Sequence, residues 1–152
     1  MKRKRGKVGA SIGGRLPKYK RSVSVLILYK AEGTILLQHR TKDAPTFPEY
    51  WSLFGGGIEE GETPEQAVRR EILEELGYEL ASARLFTVQQ IVDEKVHVFV
   101  ELYDGRPLIL GEGQAMDWFL ASAIKGLLMV DAERAIIEAF WDNPDPRAPG
   151  PR

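Results

Sequence analysis

Residues 56–78 read GGIEEGETPEQAVRREILEELGY, and this stretch decides the reading of the chain. It carries a complete set of helix signals. Thr63 is a good N-cap, Pro64 suits the first helical position, and Gln66 completes a capping box. Gly77 supplies a stop. The spacing therefore predicts a helix over residues 64–76. At about 100° per residue, Val68, Ile72, Leu73 and Leu76 fill one arc, and Glu71, Glu74 and Glu75 fill another. The helix is expected to pack on its apolar arc and show three carboxylates on the other.

Like charges three and four residues apart destabilise a helix by a few tenths of about 1 kcal/mol each, so a compensating cation is expected. Hard divalent ions suit an all-carboxylate set, and Mg²⁺ leaves room for water and substrate phosphates. With two histidines and no cysteine in the chain, zinc is a poor candidate. A solvated acidic face is the plain alternative for such a helix taken alone. Gly55-Gly56-Gly57 shifts the balance, because backbone there can approach a ligand closely. A phosphate near the helix N-terminus would also meet free amide donors.

The stretch resembles the Nudix box, G-x5-E-x7-R-E-U-x-E-E-x-G-U, where U is a bulky apolar residue. Gly56, Glu62, Arg70, Glu71, Ile72, Glu74, Glu75 and Gly77 all fall in register, with Tyr78 a mild departure at the last position. Seven fixed letters at roughly 7% usage each give a chance match on the order of 10⁻⁸ per start. The resemblance implies an α/β fold, the Nudix-type α/β/α sandwich with a mixed β-sheet and a loop–helix–loop catalytic motif. It also implies Mg²⁺-dependent cleavage of a pyrophosphate linkage in a nucleoside polyphosphate, with Mn²⁺ as a substitute cation.

Carried over residue by residue, the resemblance gives Glu71, Glu74 and Glu75 to the cations, together with the carbonyl of Gly55. Arg70 would orient Glu71, and the general base would be Glu71 first and Glu74 second. The closest subgroup is the MutT-like nucleoside triphosphate pyrophosphohydrolases, which release monophosphate and pyrophosphate. In it Arg40 would contact substrate, unless it forms only a surface ion pair. Glu112, in Gly111-Glu112-Gly113-Gln114, would be a fourth carboxylate or a plain turn residue. Phe54, standing where a proline usually precedes the glycines, and Gly56 are placed at the substrate. Asp131 corresponds loosely to the asparagine with which enzymes of this subgroup recognise oxidised guanine. Capping the last helix is the favoured reading for it. 8-oxo-dGTP is thus one candidate substrate. An RNA 5′-pyrophosphohydrolase, another nucleoside diphosphate-X hydrolase, and a non-catalytic nucleotide-binding module are the alternatives.

Outward from the box, residues 22–29 and 34–40 read as a strand hairpin turning at Ala31-Glu32-Gly33. Residues 41–50 read as a loop, and 51–54 as a short apolar segment. Beyond the box, 84–92 and 95–103 read as strands, 115–120 as a short strand, and 131–141 as a final helix. The Nudix domain is expected over 22–142, with a basic arm over 1–21 and a Pro-rich tail over 143–152.

The whole chain has 152 residues, one domain of ordinary size. Its formal charge of −1 hides an asymmetry. Residues 1–21 hold nine bases and no acid, leaving 12 bases against 22 acids elsewhere. Such an arm can attract RNA, though a solvated tail is favoured. No apolar run reaches the length of a membrane span, and the lack of cysteine fits the cytoplasm. The sequence leaves the oligomeric state open.

Overall fold

The computed structural model describes residues 20–111 and 114–142. Seven strands and two helices follow the order β1 (Arg21–Tyr29), β2 (Thr34–His39), β3 (Trp51–Ser52), β4 (Phe54–Gly57), α1 (Pro64–Leu76), β5 (Arg84–Ile91), β6 (Glu94–Leu102), β7 (Ala115–Leu120) and α2 (Asp131–Asp142). A 3₁₀ segment, Ala121–Gly126, precedes α2. The sheet is mixed, with the path β3-β2-β1-β6-β5. β1 and β6 run parallel, and β5 returns antiparallel to β6.

The sheet forks at β1. Tyr29 pairs with Ile35 of β2, but from Leu26 back to Val23 the partner is β4. β2 leaves β1 and pairs with β3 and β7 instead. The chain crosses from one branch to the other at Leu53, between β3 and β4.

Strand alternation sends side chains to two separate cores, as the period of two requires. Val23, Ile27 and Tyr29 of β1 and Val96, Val98 and Val100 of β6 pack toward α2, with Ile136, Ile137 and Phe140. Leu26 and Leu28 of β1 and Phe99 of β6 pack toward α1, with Val68, Ile72 and Leu76. The result is the expected α/β/α sandwich.

The expected caps of α1 are present. Thr63 and Gln66 form a reciprocal capping box, and Gly77 closes the helix in the left-handed region. One expectation fails. Leu73 is 53% exposed, while Ala67 is fully buried. The buried arc therefore lies further round than the apolar residues alone suggest. On it, Glu71 and Glu75 fall between Ala67 and Val68. They belong to the buried side of the helix, and only Glu74 stands out in solvent.

Candidate active site

The site starts from the contact of α1 with β4. Ser24 Oγ donates to the Pro64 carbonyl at 2.8 Å and ties β1 to the first turn of α1. β4 runs between them as three glycines, and two of these have no room for a side chain. A Cβ on Gly55 would lie 2.1 Å from the Ser24 carbonyl oxygen, and its φ of +152° already disfavours other residues. A Cβ on Gly56 would lie 2.4 Å from the carboxyl carbon of Glu71. The Glu71 carboxylate thus rests directly on the Gly56 backbone.

Arg70 organises the acids around it. Its guanidinium donates to both carboxylate oxygens of Glu62, at 2.6 and 3.0 Å, and to the Gly57 carbonyl at 3.0 Å. Nη1 also reaches Glu71 at 3.0 Å and Glu74 at 3.4 Å. Forked pairing of this kind is the strong form of the ion pair. It holds the Glu62 carboxyl below the usual range and raises the guanidinium further. Arg70 thus pairs with Glu71, and Glu62 anchors Arg70. Glu62 was among the fixed letters of the box, which was the signal for this role.

Glu75 is the exception. Its Oε1 is buried and has no hydrogen-bond partner. Burial first, and then the neighbouring charge of Glu71, push its carboxyl up to about 8, against a backbone hydrogen bond from Gly55. A buried carboxyl oxygen left unpaired beside a second carboxylate is costly. A hard cation between Glu75 and Glu71 would satisfy both, so the donor set fits Mg²⁺ or Mn²⁺. Among the described residues, no three acidic or histidine side chains converge into a complete cage.

The fork of the sheet opens a cavity of about 470 Å³ beside the glycines. Gly55 and Gly56 form one wall; Val23, Trp51, Arg40 and Glu133 contribute others. The volume falls within the range of small-molecule sites. Trp51 is fixed by stacking on His39, with ring centroids 4.5 Å apart. Arg40 is held in the 41–50 loop, donating to the Thr46 carbonyl at 2.9 Å. Its Nη2 also reaches Thr46 Oγ1 at 3.3 Å.

Two site expectations change. Phe54 was placed at the substrate, yet its ring is 2% exposed in the core under α1. The alternation of β4 points it away from the cavity. Asp131 does not precede α2 as a cap but begins it, and its side chain is 99% exposed and pairs with Arg134. Glu133, two residues on, faces the cavity instead and accepts from the Leu53 N–H at 3.1 Å. Burial pushes its carboxyl up to about 7. A signal for Glu133 was available: it sits three, four and seven residues before Ile136, Ile137 and Phe140, on the apolar stripe of α2. Glu112 lies outside the described residues.

Fold and site together define a class, a three-layer α/β domain with an acidic helix seated beneath a glycine strand. The NUDIX domain family model matches residues 18–142, and the chain belongs to that family. Over 53 residues it is 49% identical to the nucleoside triphosphatase NudI of Escherichia coli O139:H28, covering 35% of this chain and 38% of that protein. The match thus spans under half the length of that curated relative. Among solved structures, a MutT NUDIX hydrolase from Burkholderia pseudomallei is 28% identical with a TM-score of 0.65, over 78% of this chain and 95% of that one. The Escherichia coli ORF135 protein is 26% identical with a TM-score of 0.67, over 88% and 98%. The MutT protein of Methanosarcina mazei Go1, 22% identical over 86% and 99% with a TM-score of 0.67, supports the fold alone. No helix among the described residues is long and apolar enough to cross a membrane.

Proposed function

We propose that this chain is a Mg²⁺-dependent hydrolase that cleaves a nucleoside triphosphate to the monophosphate and pyrophosphate. One observation carries the reading. The unpartnered, buried Glu75 oxygen lies beside Glu71 on a helix whose glycine cover also walls a nucleotide-sized cavity. Bound Mg²⁺, or Mn²⁺ in its place, would neutralise phosphate oxygens and lower the pKa of a coordinated water.

The chain's own residues supply the rest. Glu71, Glu74 and Glu75 would hold the cation, with the Gly55 carbonyl and Glu112 as further ligands. Arg70 keeps Glu71 in place. Glu71 is the first choice of general base, and Glu74, 60% exposed, is the second. The polyphosphate would lie over Gly55 and Gly56, where missing side chains permit close approach. Arg40 would meet its charge from the far side of the cavity. The nucleoside would then occupy the space by Trp51 and Val23, with the Glu133 carboxyl against its polar edge. 8-oxo-dGTP remains a candidate within this class.

A second reading has one observation in its favour. Arg21, the last cation of the basic stretch, lines the same cavity and pairs with Glu94 at 2.8 Å. An RNA 5′-triphosphate end would bring further anionic charge to that rim. A non-catalytic nucleotide-binding module is less favoured, because every glutamate of the box is present.

The test is product analysis on a panel of nucleoside triphosphates, 8-oxo-dGTP and triphosphorylated RNA, with Mg²⁺. We expect monophosphate and pyrophosphate in equal amounts from the free nucleotides. Diphosphate and orthophosphate, or no turnover on any substrate, would overturn the reading. Faster turnover of the RNA would favour the second.

A further inference from the structure

The backbone of Leu53 is held by side chains on both sides of its Cα. Its N–H donates to Glu133 Oε2 at 3.1 Å, and its carbonyl accepts from Gln38 Nε2 at 3.1 Å. Gln38 is 4% exposed, one of three buried polar or charged residues among those described. Its Oε1 in turn accepts from Gln114 Nε2, just before β7. Side chains from β2 and α2 thus hold the backbone of a single residue, and Gln114, on the approach to β7, backs Gln38. The sequence separations are 15, 76 and 80 residues.

The position of this residue matters. Leu53 is the crossover between the two branches of the forked sheet. β4 begins at the next residue, is four residues long and is held laterally by β1 alone. Two residues beyond Leu53, Gly55 hydrogen-bonds Glu75. One further, Gly56 supports the Glu71 carboxylate. The strand has no slack there, since a Cβ on Gly55 would meet the Ser24 carbonyl at 2.1 Å. A shift of the Leu53 backbone would be passed to the glycines and from them to the two carboxylates.

A buried glutamine has to satisfy its amide somewhere, and any backbone carbonyl would serve. What sets Gln38 apart is its partner. It holds the carbonyl of the crossover residue, and the N–H of that residue is held by a half-buried carboxyl that makes no ion pair among the described residues. Building on the hydrolase reading above, we infer that Gln38 is a positioning residue: with Glu133 it clamps the Leu53 backbone and so sets Gly55 and Gly56 against Glu75 and Glu71.

The test uses the full chain and two readouts. Gln38→Met keeps the length and removes both polar contacts; Glu133→Leu opens the other jaw and serves if Gln38→Met fails to fold. Mn²⁺ binding is measured by electron paramagnetic resonance without nucleotide, and kcat and KM are measured on a deoxynucleoside triphosphate with Mg²⁺. Partners that orient metal ligands are worth about 10–100-fold in affinity or activity. Gln38→Met should weaken Mn²⁺ binding and lower kcat, each by about tenfold, with KM within about twofold of wild type. Because both jaws act through the backbone of one residue, the double variant should bind Mn²⁺ no worse than the weaker single variant. Wild-type Mn²⁺ affinity in a folded variant, multiplying losses in the double variant, or a change in KM alone in Gln38→Met would each overturn the inference; Glu133→Leu, which removes a carboxyl placed at the nucleoside, is read by Mn²⁺ affinity only. So would failure of the wild-type chain to bind Mn²⁺. If the wild type binds Mn²⁺ but hydrolyses no triphosphate, the hydrolase reading fails, and the binding data alone decide the role of Gln38.

Discussion

The two sides of the forked sheet were built over different distances along the chain. On the α1 side, Arg70 meets Glu62, Glu71 and Glu74 at separations of eight, one and four residues. On the cavity side, Glu133 meets Leu53 across 80 residues, and Gln114 meets Gln38 across 76. The first side gathers charge and leaves one carboxyl oxygen unpaired at its centre. The second encloses space and satisfies its buried amide fully. Local contacts fix the chemical part of the site, and long-range contacts shape the part that receives the nucleoside. The two parts meet at Gly55 and Gly56.

Those two glycines offer the sharpest way to break the comparison. In Gly56→Ala, the added carbon displaces the end of a flexible glutamate, so folding should change little. A misplacement of about 1 Å at the reacting groups can cost about 10²-fold in rate, and that loss is expected in kcat. In Gly55→Ala, the carbon meets backbone at a positive φ, and stability should fall by about 2–4 kcal/mol. Urea unfolding together with steady-state kinetics separates the two. Equal behaviour of both variants would mean that the glycines do not divide fold from chemistry.

A smaller effect is expected from pH in the metal-free chain. The folded Glu75 carboxyl titrates near 8 and its ordinary value is 4.5. The folded chain therefore keeps a proton that the unfolded chain releases between these values. Stability should fall as pH rises through that window, and the penalty is complete above about 8. Glu133, pushed up to about 7, acts in the same direction. Thermal melts in chelator should lose about 1–3 kcal/mol from pH 5 to 8, with a flatter slope in Glu75→Gln. Mg²⁺ should restore more stability at pH 8 than at pH 5. An unchanged slope in Glu75→Gln would remove Glu75 as its source.

The smallest effect concerns the other edge of α1. Leu73→Ser should stay within about 0.5 kcal/mol of wild type, because Leu73 already faces solvent. Ile72→Ser, one residue away and fully buried, should cost about 3 kcal/mol or more. Similar losses for the two in chemical denaturation would restore the original wheel.

Much of the α1 side was legible in the sequence because its signals are local. Thr63, Pro64, Gln66 and Gly77 set the helix, and the register of Arg70 with Glu62 and Glu71 set the ion pairs. The wheel misplaced the carboxylates because it weighted apolar residues and assumed charge points outward. Glu71 and Glu75 lie on the buried side, where a cation would be useful. The cavity side was hardly legible. Asp131 resembled a cap, while the residue that turns inward is Glu133. Phe54 was judged by its neighbours in sequence, yet strand parity sends it into the core. Gln38 carries no local signal, because its partners come from β3–β4 and from beyond β6.

Steady-state hydrolysis of a deoxynucleoside triphosphate by wild type and Glu75→Gln, at saturating Mg²⁺ and pH 8, tests the central claim most directly. Glu75→Gln keeps the shape of the side chain and removes the charge. It should fold, melt higher than wild type in chelator, and lose about 10³-fold in kcat. A folded Glu75→Gln chain that releases pyrophosphate at the wild-type rate would contradict the assignment of Glu75 to the cation.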